Sequence, residues 1–153
     1  MLAKYTPEIA RFARGALARM RKIVPGAIEL VYDNYNALAI GFGPSERTSE
    51  AVFSIALYPR QVNLFFLQGA GLPDSAKRLK GSGNVVRHVC LYTAGEPDAK
   101  VLDDPEIRSL INVALNRAKV PMSAGSRSKL IIRSVSARQR PRRPAPTKRR
   151  LPS

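Results

Sequence analysis

The stretch AVFSIALYPRQVNLFFLQ, residues 51–68, decides the fold class. Two runs rich in β-branched and aromatic residues, 51–58 and 62–68, flank a connection of hairpin length at residues 59–61. Residues of these types favour strands, and so short a connection joins strands that run antiparallel. The stretch therefore predicts an antiparallel hairpin that belongs to a larger sheet.

The two faces of the first predicted strand differ in character. Because successive side chains of a strand alternate between faces, Phe53, Ile55 and Leu57 share the face that we expect to meet helices. The residues of the other face are Val52, Ser54, Ala56 and Tyr58. Since that second set is small and mixed, we expect it to form an open, shallow concavity.

Other short runs have strand character and are bounded by turn residues. They lie at residues 27–33, 37–42 and 85–92, with 129–135 as a candidate for a last edge strand. We expect residues 85–92 to form a central strand, with Val89 and Leu91 directed toward the helices.

Two segments show the start signals and the 3.6-residue apolar period of helices. The first has Thr6 in the N-cap position and Pro7 at the first helical position, and it ends before Pro25. The second repeats the signal with Asp104 and Pro105. Together the elements predict an α+β fold: a mainly antiparallel sheet of five to six strands, with N-terminal and C-terminal helices packed on one face.

The end of the chain has a different composition. Residues 137–153 contain seven basic residues, four prolines and no acid, so they have nothing to bury and we expect them to be disordered. We therefore predict a single α+β domain over residues 1–136, followed by a basic Pro/Arg-rich tail. A chain that ends at Ala137 should then keep the stability of the full protein.

Charge and composition narrow the classes of partner. The 26 basic and 11 acidic residues give a net charge of +15, which favours polyanions as partners. The apolar runs are too short to span a membrane, so we expect no membrane partner. The single cysteine excludes an intramolecular disulfide and fits a reducing compartment such as the cytoplasm. The Arg-rich, acid-poor start is also typical of transit peptides.

The segment LKGSGNVVRHVCL, residues 79–91, contains two glycines in a predicted loop. No Lys-Ser/Thr pair follows them, and Val86 stands where a dinucleotide fingerprint needs a third glycine, so both phosphate motifs fail. Two interpretations stay open. Backbone N–H groups could bind an anion beside Lys80, or Gly81 and Gly83 supply the positive φ that reverses the chain.

The only histidine and the only cysteine follow this loop. His88 and Cys90 are two residues apart, so we expect them to share one face of a strand with Tyr92. Nucleophilic catalysis needs the imidazole within hydrogen-bond reach of the thiol and a third group to orient it. Two residues that are two apart in a strand do not by themselves reach this arrangement. We therefore expect a small buried thiol and a hydrogen-bonded histidine. We expect no catalytic residue, no metal site and no cofactor.

Three stretches together carry a family resemblance. They are, in this order, PGAIELVYDNYNALAIGFGPSE, IALYPRQVNLFFLQGAGLPD and LKGSGNVVRHVCLY. With them the chain resembles, over residues 8–135, the YdhG-like family of uncharacterised bacterial domains, domain of unknown function 1801. The most specific residues are Gly81, Gly83, Arg87 and His88. The resemblance implies a small α+β fold and a bacterial, cytoplasmic origin.

One branch of the family is regarded as frataxin-like, which implies iron delivery from a ridge of carboxylates on and after the first helix. Here that helix is mainly basic, with Glu8 as its one acid.

Two functions of different classes follow. The first is a non-enzymatic module whose tail binds polyanions, nucleic acid first, without sequence preference. Its tail residues are Arg138, Arg140, Arg142, Arg143, Lys148, Arg149 and Arg150.

The alternative is a frataxin-like iron-handling or small-ligand chaperone that uses the open sheet face. Its pocket residues are Tyr32, Tyr58, Lys80, Ser82, Arg87, His88 and Tyr92. The sequence indicates no oligomeric state.

Overall fold

A computed structural model describes residues 1–122 and 128–145. Two helices and six strands form the fold: α1 Pro7–Ile23, β1 Ile28–Asp33, β2 Leu38–Gly43, β3 Phe53–Leu57, β4 Gln61–Phe66, β5 Arg87–Thr93, α2 Pro105–Arg117 and β6 Leu130–Val135. Three short 3-10 turns lie at Leu2–Lys4, Thr48–Glu50 and Val101–Asp103.

The strands form one sheet in the order β5-β4-β3-β2-β1-β6. Strands β1 to β5 pair antiparallel with their neighbours, while β6 joins the far side of β1 in parallel. The prediction of an α+β fold with a mainly antiparallel sheet is confirmed, and the candidate strand at residues 129–135 is indeed an edge strand. Because α2 lies between β5 and β6 in the chain, it carries the chain from one edge of the sheet to the other.

The hairpin of β3 and β4 forms the centre of the core. Ile55 lies opposite Leu64 across the hairpin and opposite Ile40 on β2, and both Ile55 and Leu64 are fully buried. Phe53 and Phe66 meet edge-to-face, with 5.6 Å between ring centroids. The face assigned from the alternation of residues 53, 55 and 57 is therefore the core face.

Both helices begin as their sequences predict. The Thr6 Oγ1 accepts a hydrogen bond from the Ile9 N–H at 3.3 Å, and the Asp104 Oδ1 accepts one from the Glu106 N–H at 2.9 Å. Each cap satisfies a donor that the first helical turn leaves free. The buried residues of both helices are Ile9, Ala10, Ala13, Ala16, Leu17, Met20, Ile107, Leu110 and Ile111. Most of them share one hydrophobic cluster with the core face of the sheet.

The position of residues 85–92 differs from the prediction. Strand β5 lies at an edge of the sheet, not in its centre, because the next strand in the chain joins the opposite edge. Residues 80 and 88 form an antiparallel bridge on the outer side of β5, with N–H···O distances of 2.8 and 2.9 Å in the two directions. Val89 and Leu91 do face the core, as predicted, and are 4% and 2% exposed.

Candidate functional site

The structure does not bring the seven predicted pocket residues together. Tyr32 contacts the Thr48 hydroxyl beside the β2–β3 connection, whereas Tyr58 follows β3 and is half-buried. Burial raises the pKa of Tyr58 above its ordinary value. Lys80, Ser82, Arg87 and His88 stay together along the outer edge of β5 and in the turn before it.

The glycine turn before β5 is closed by its own residues. Gly81 has a φ of +122°, as predicted for a residue that reverses the chain, but Gly83 does not have a positive φ. The Arg87 guanidinium donates to the carbonyl oxygens of Gly83 and Val86, at 2.5 and 2.8 Å. Arg87 therefore holds the turn against the start of β5. Ser82 is exposed within it.

His88 and Cys90 do not form a reactive pair. The His88 ring packs against Phe65, with 5.2 Å between ring centroids. The Cys90 Sγ instead lies 3.4 Å from both the Tyr92 carbonyl oxygen and the Thr93 hydroxyl. Partial burial, followed by the charge of Lys80, lowers the pKa of His88, so its imidazole is neutral at pH 7. The sequence predicts a buried thiol, but the thiol of Cys90 is only half-buried.

Sequence reasoning missed a buried polar group on the same sheet face. Asn63 pairs with Cys90 across β4 and β5 and is 4% exposed. Its Oδ1 has no hydrogen-bond partner within the described residues. On the other side, Asn63 lies opposite Ala56 of β3, which is also buried. This face therefore combines a half-buried thiol, a neutral imidazole and one buried acceptor.

Tyr92 lies on the opposite side of the sheet from the predicted one. Asn63 pairs with Cys90 but Val62 pairs with Tyr92, so Leu91 has no opposite residue and the strand bulges there. A bulge shifts the alternation by one residue, and the Tyr92 ring stacks on Phe12 of α1 with 4.5 Å between centroids. The expectation that Tyr92 shares a face with His88 and Cys90 is therefore wrong.

The Tyr92 hydroxyl donates a hydrogen bond to the Glu8 carboxylate, which also accepts one from the Gly95 N–H at 3.2 Å. The bond from Tyr92 lowers the pKa of Glu8, and the same bond raises the pKa of Tyr92. The one acid of α1 therefore already has two donors.

The basic tail contributes a buried side chain to the domain. Arg142 is 4% exposed, and its Nη2 donates to the Asp33 Oδ1 at 2.9 Å and to the Asn34 carbonyl oxygen. Its guanidinium carbon lies 5.8 Å from the centroid of the Tyr5 ring. The expectation that this segment has nothing to bury is wrong at Arg142. A guanidinium presents several donors in one plane, and here it binds the acceptors at the end of β1.

Residues 136–143 form a C-terminal strap across the β1–β2 turn. The N–H groups of Ser136 and Arg140 donate to the carbonyl oxygens of Asp33 and Tyr35, each at 2.8 Å. The strap also reaches the N-terminus: the Lys4 Nζ donates to the Gln139 Oε1 at 2.9 Å, and Arg143 donates to the Ala3 and Lys4 carbonyl oxygens at 3.3 Å. The predicted tail residues Lys148, Arg149 and Arg150 lie outside the described residues.

The strap leaves three of its arginines exposed, and one of them, Arg143, contacts the residues that precede α1. The three are Arg138, Arg140 and Arg143. The outer face of α1 carries further exposed cations, Arg11, Arg14 and Lys22, for which the described residues provide no ion-pair partner. Arg19 and Arg21 differ, because they pair with Asp103 and Glu29. We call the strap arginines and these three α1 cations the basic surface.

Three further findings bear on function. No family model, curated protein or solved structure was found to match this chain, so the resemblance to the YdhG-like family stays a prediction. Within residues 1–122 and 128–145, no group of three or more metal-ligating side chains could hold a metal ion. In the same part of the chain, no helix has the length and apolar character that a membrane span requires.

Proposed function

We propose that this protein binds polyanions, nucleic acid first, through the basic surface of α1 and the C-terminal strap. The observation that carries the proposal is the fixed strap. Its hydrogen bonds hold Arg140 at the β1–β2 turn and hold Arg143 against residues 3–4, which precede a helix whose outer face is also basic. Ordered cations bind phosphates at a smaller entropic cost than cations on a free tail. The net charge of +15 would attract such a partner from a distance.

The surface has features of phosphate recognition, not of base reading. Exposed guanidinium groups suit phosphate oxygens because they donate in pairs. Contacts to phosphates position a protein on nucleic acid but carry no sequence information. The proposed binding is therefore indifferent to sequence and strongly dependent on salt. Arg142 takes no part in it, because its guanidinium is buried against Asp33.

The test is fluorescence anisotropy of the full chain with two DNA duplexes of unrelated sequence, measured from low to moderate salt. If about five side chains bind phosphates, the logarithm of the affinity should fall with the logarithm of the salt concentration at a slope of roughly −4 to −5. Replacing Arg138, Arg140 and Arg143 by Gln should make that slope shallower by about 0.9 for each phosphate that the variant no longer binds. Absence of binding at low salt would refute the proposal.

A matched control separates the surface from the net charge. Arg47, Lys77 and Lys119 are also exposed but lie outside α1 and the strap, and replacing them by Gln removes the same charge. This control variant should keep the slope of the parent within about one unit. An equal decrease of the slope in both triple variants would show that total charge, and not this surface, governs the binding.

We also propose that the chain is a YdhG-like protein of the bacterial cytoplasm. The support for the family is the ordered likeness of three stretches over residues 8–135, and the support for the compartment is the single, unpaired cysteine. An alignment of the full chain with members of that family tests the first statement, and fractionation of bacterial cells that express the protein tests the second.

A further inference from the structure

Strand β6 carries a row of exposed apolar side chains at the edge of the sheet. Leu130, Ile132 and Val135 are 55%, 56% and 56% exposed. All three lie opposite core-face residues of β1, so they point to the helix side of the sheet, and the register shift at Arg133 keeps Val135 on that side. We call these three side chains the apolar edge row.

The apolar cover of the core ends between β1 and β6. Val31 of β1 is 5% exposed and belongs to the hydrophobic core, whereas Ile132, its neighbour on β6, is 56% exposed. Adjacent strands are only about 4.8 Å apart, so the change is abrupt. Helix α1 packs over β3 and β4, in the middle of the sheet. Within the described residues, the apolar edge row is therefore open to a partner.

The backbone on the outer side of β6 offers hydrogen-bonding groups. The Lys129 carbonyl oxygen accepts from the Glu29 N–H at 2.7 Å, so the backbone groups of Lys129 point toward β1. Because these groups alternate in direction along a strand, Leu130 and Ile132 direct theirs away from β1. In the part of the chain that the structure describes, β6 ends the sheet and no strand pairs with its outer side. An edge of this kind is a template for one more strand.

The charges on this edge are positive. Lys129 and Arg133 are exposed, and neither has an ion-pair partner within the described residues. Glu29 and Asp33 of the neighbouring strand are each bound by an arginine, and the sequence contains no acid after Glu106. A partner strand with acidic side chains would therefore complement this edge.

A second copy of the chain, or its own last residues, would fit this edge poorly. Pairing of β6 with β6 of another copy would bring Lys129 and Arg133 of both chains together, and like charges on paired strands are destabilising. Residues 146–153 are basic and contain two prolines, which cannot donate to a strand ladder. The chemistry of the edge therefore favours a different protein chain.

We propose that β6 binds an extended segment of a partner protein, in which apolar and acidic side chains alternate, as an added strand of the sheet. Main-chain hydrogen bonds supply affinity in this mode of recognition, and alternate side chains supply specificity. The apolar side chains of the segment lie beside the apolar edge row. Its acidic side chains lie on the opposite side, toward which alternation directs Lys129. This binding does not depend on polyanion binding by the basic surface.

Fluorescein-labelled peptides test the proposal by anisotropy with the full-length protein. The first is a heptapeptide of alternating valine and glutamate, and the second has lysine in place of glutamate. We expect saturable binding of the first, about tenfold or more tighter than of the second, because like charges at the edge repel. A third peptide has the composition of the first with its glutamates in one block. If it bound as tightly as the first, net charge alone would explain the binding and the proposal would be overturned.

Two methylated peptides distinguish strand addition from other modes of binding. Each is the alternating peptide with one N-methyl group, placed on the central residue or on the residue beside it, so that one backbone N–H is removed. Consecutive N–H groups of a strand point to opposite sides, so only one of the two peptides loses a hydrogen bond to β6. We expect that peptide to bind about fivefold weaker and the other to bind like the unmethylated peptide. Equal affinity of the two would overturn strand addition.

Variants at the two edges of the sheet locate the site. Ile132→Glu should melt like the parent, because residue 132 is exposed, and should weaken binding of the alternating peptide about tenfold or more. Val86→Glu is the matched control, since Val86 is 39% exposed and precedes β5 at the opposite edge. This control should bind the peptide like the parent. Unchanged binding by Ile132→Glu, or equal weakening in both variants, would overturn the proposal.

Two further measurements separate this partner from a second copy and from nucleic acid. Sedimentation of the full-length protein should show no dimer that depends on β6; a dimer that Ile132→Glu dissociates would assign the edge to a second copy instead. The variant with Gln at positions 138, 140 and 143 should bind the alternating peptide within about threefold of the parent, even if it no longer binds DNA. Weakening as strong as that caused by Ile132→Glu would overturn β6 as the site, whereas failure of DNA binding alone would refute only the proposed function.

Discussion

Arg142 and Asp33 lie 109 residues apart in the sequence and form a buried ion pair, with 2.9 Å between Nη2 and Oδ1 and both side chains 3% exposed. The pair joins the C-terminal strap to the last residue of β1. The carbonyl oxygens of Asn34 and Tyr35 accept from the same guanidinium. The strap is therefore part of the folded domain and closes it at the β1–β2 turn.

Removal of Arg142 should strongly destabilise the protein. Arg142→Ala leaves the Asp33 carboxylate buried without its cation, which costs about 3–5 kcal/mol in proteins generally. Arg143→Ala is the control, because Arg143 is exposed and its removal should change the free energy of unfolding by no more than about 0.5 kcal/mol. Urea unfolding of the two variants and the parent measures the difference.

The same ion pair reverses the sequence-based expectation for a chain that ends at Ala137. Such a chain lacks Arg142, so we now expect it to melt well below the full protein. In the full-length chain, replacing Asp33 and Arg142 together by Leu should cost much less stability than Arg142→Ala, since an apolar pair of similar volume avoids the cost of burying charge. If the shortened chain melted at the temperature of the full protein, the ion pair would contribute nothing to stability.

Local sequence signals predicted the parts of the fold that depend on neighbours in the chain. The hairpin of residues 51–68 follows from alternation and a short connection, and the helix starts at Thr6 and Asp104 follow from capping chemistry. The burial of Val89 also follows, because strand alternation needs only a few consecutive residues. These features need no knowledge of what lies elsewhere in the molecule.

Features that depend on distant pairing could not be predicted in this way. The edge position of β5 is set by β6, which pairs in parallel with β1 at the far side of the sheet. The bulge that turns Tyr92 toward α1 depends on the register with Val62. Composition around Arg142 indicates disorder, and only the acceptors at the end of β1 give that side chain a buried partner.

Val89→Asp should unfold the domain. Val89 lies opposite Leu64 on the core face and is 4% exposed, so the substitution buries a carboxylate without a partner at a cost of several kcal/mol. Val86→Asp is the matched control, since Val86 is 39% exposed and precedes β5. Thermal melting of both variants is followed by circular dichroism. A Val89→Asp protein that melted like the parent would show that residue 89 does not face the core.

The stability should depend on pH through His88. Its folded pKa is below 6.5, chiefly because of burial and also because of the Lys80 charge, so the unfolded chain binds the proton more readily. The contribution of the neutral imidazole is fully present above pH 6.5 and is lost as the pH falls through the folded pKa. His88→Gln should flatten this part of the stability profile, and Lys80→Gln should raise the pKa that NMR measures for His88. A histidine that titrates above 6.5 in the parent would contradict this assignment.

Tyr92→Phe should remove a stabilising contribution that exists only in a defined pH window. The hydroxyl donates to Glu8, which lowers the pKa of Glu8 below 4.5 and raises the pKa of Tyr92 above 10.0. The charge-assisted hydrogen bond therefore contributes fully between pH 4.5 and 10.0. At acid pH it weakens to a bond between neutral groups as Glu8 takes up a proton, and at alkaline pH it is lost as Tyr92 releases its proton. Phenylalanine keeps the stacking on Phe12, so the melting temperatures of the parent and the variant should differ most inside this window and less beyond both ends. Glu8→Gln keeps a neutral acceptor that cannot titrate, so in this variant the effect of Tyr92→Phe should be smaller than in the parent and should not change with pH on the acid side. An acid-side change that persisted in this variant would show that another carboxylate is responsible.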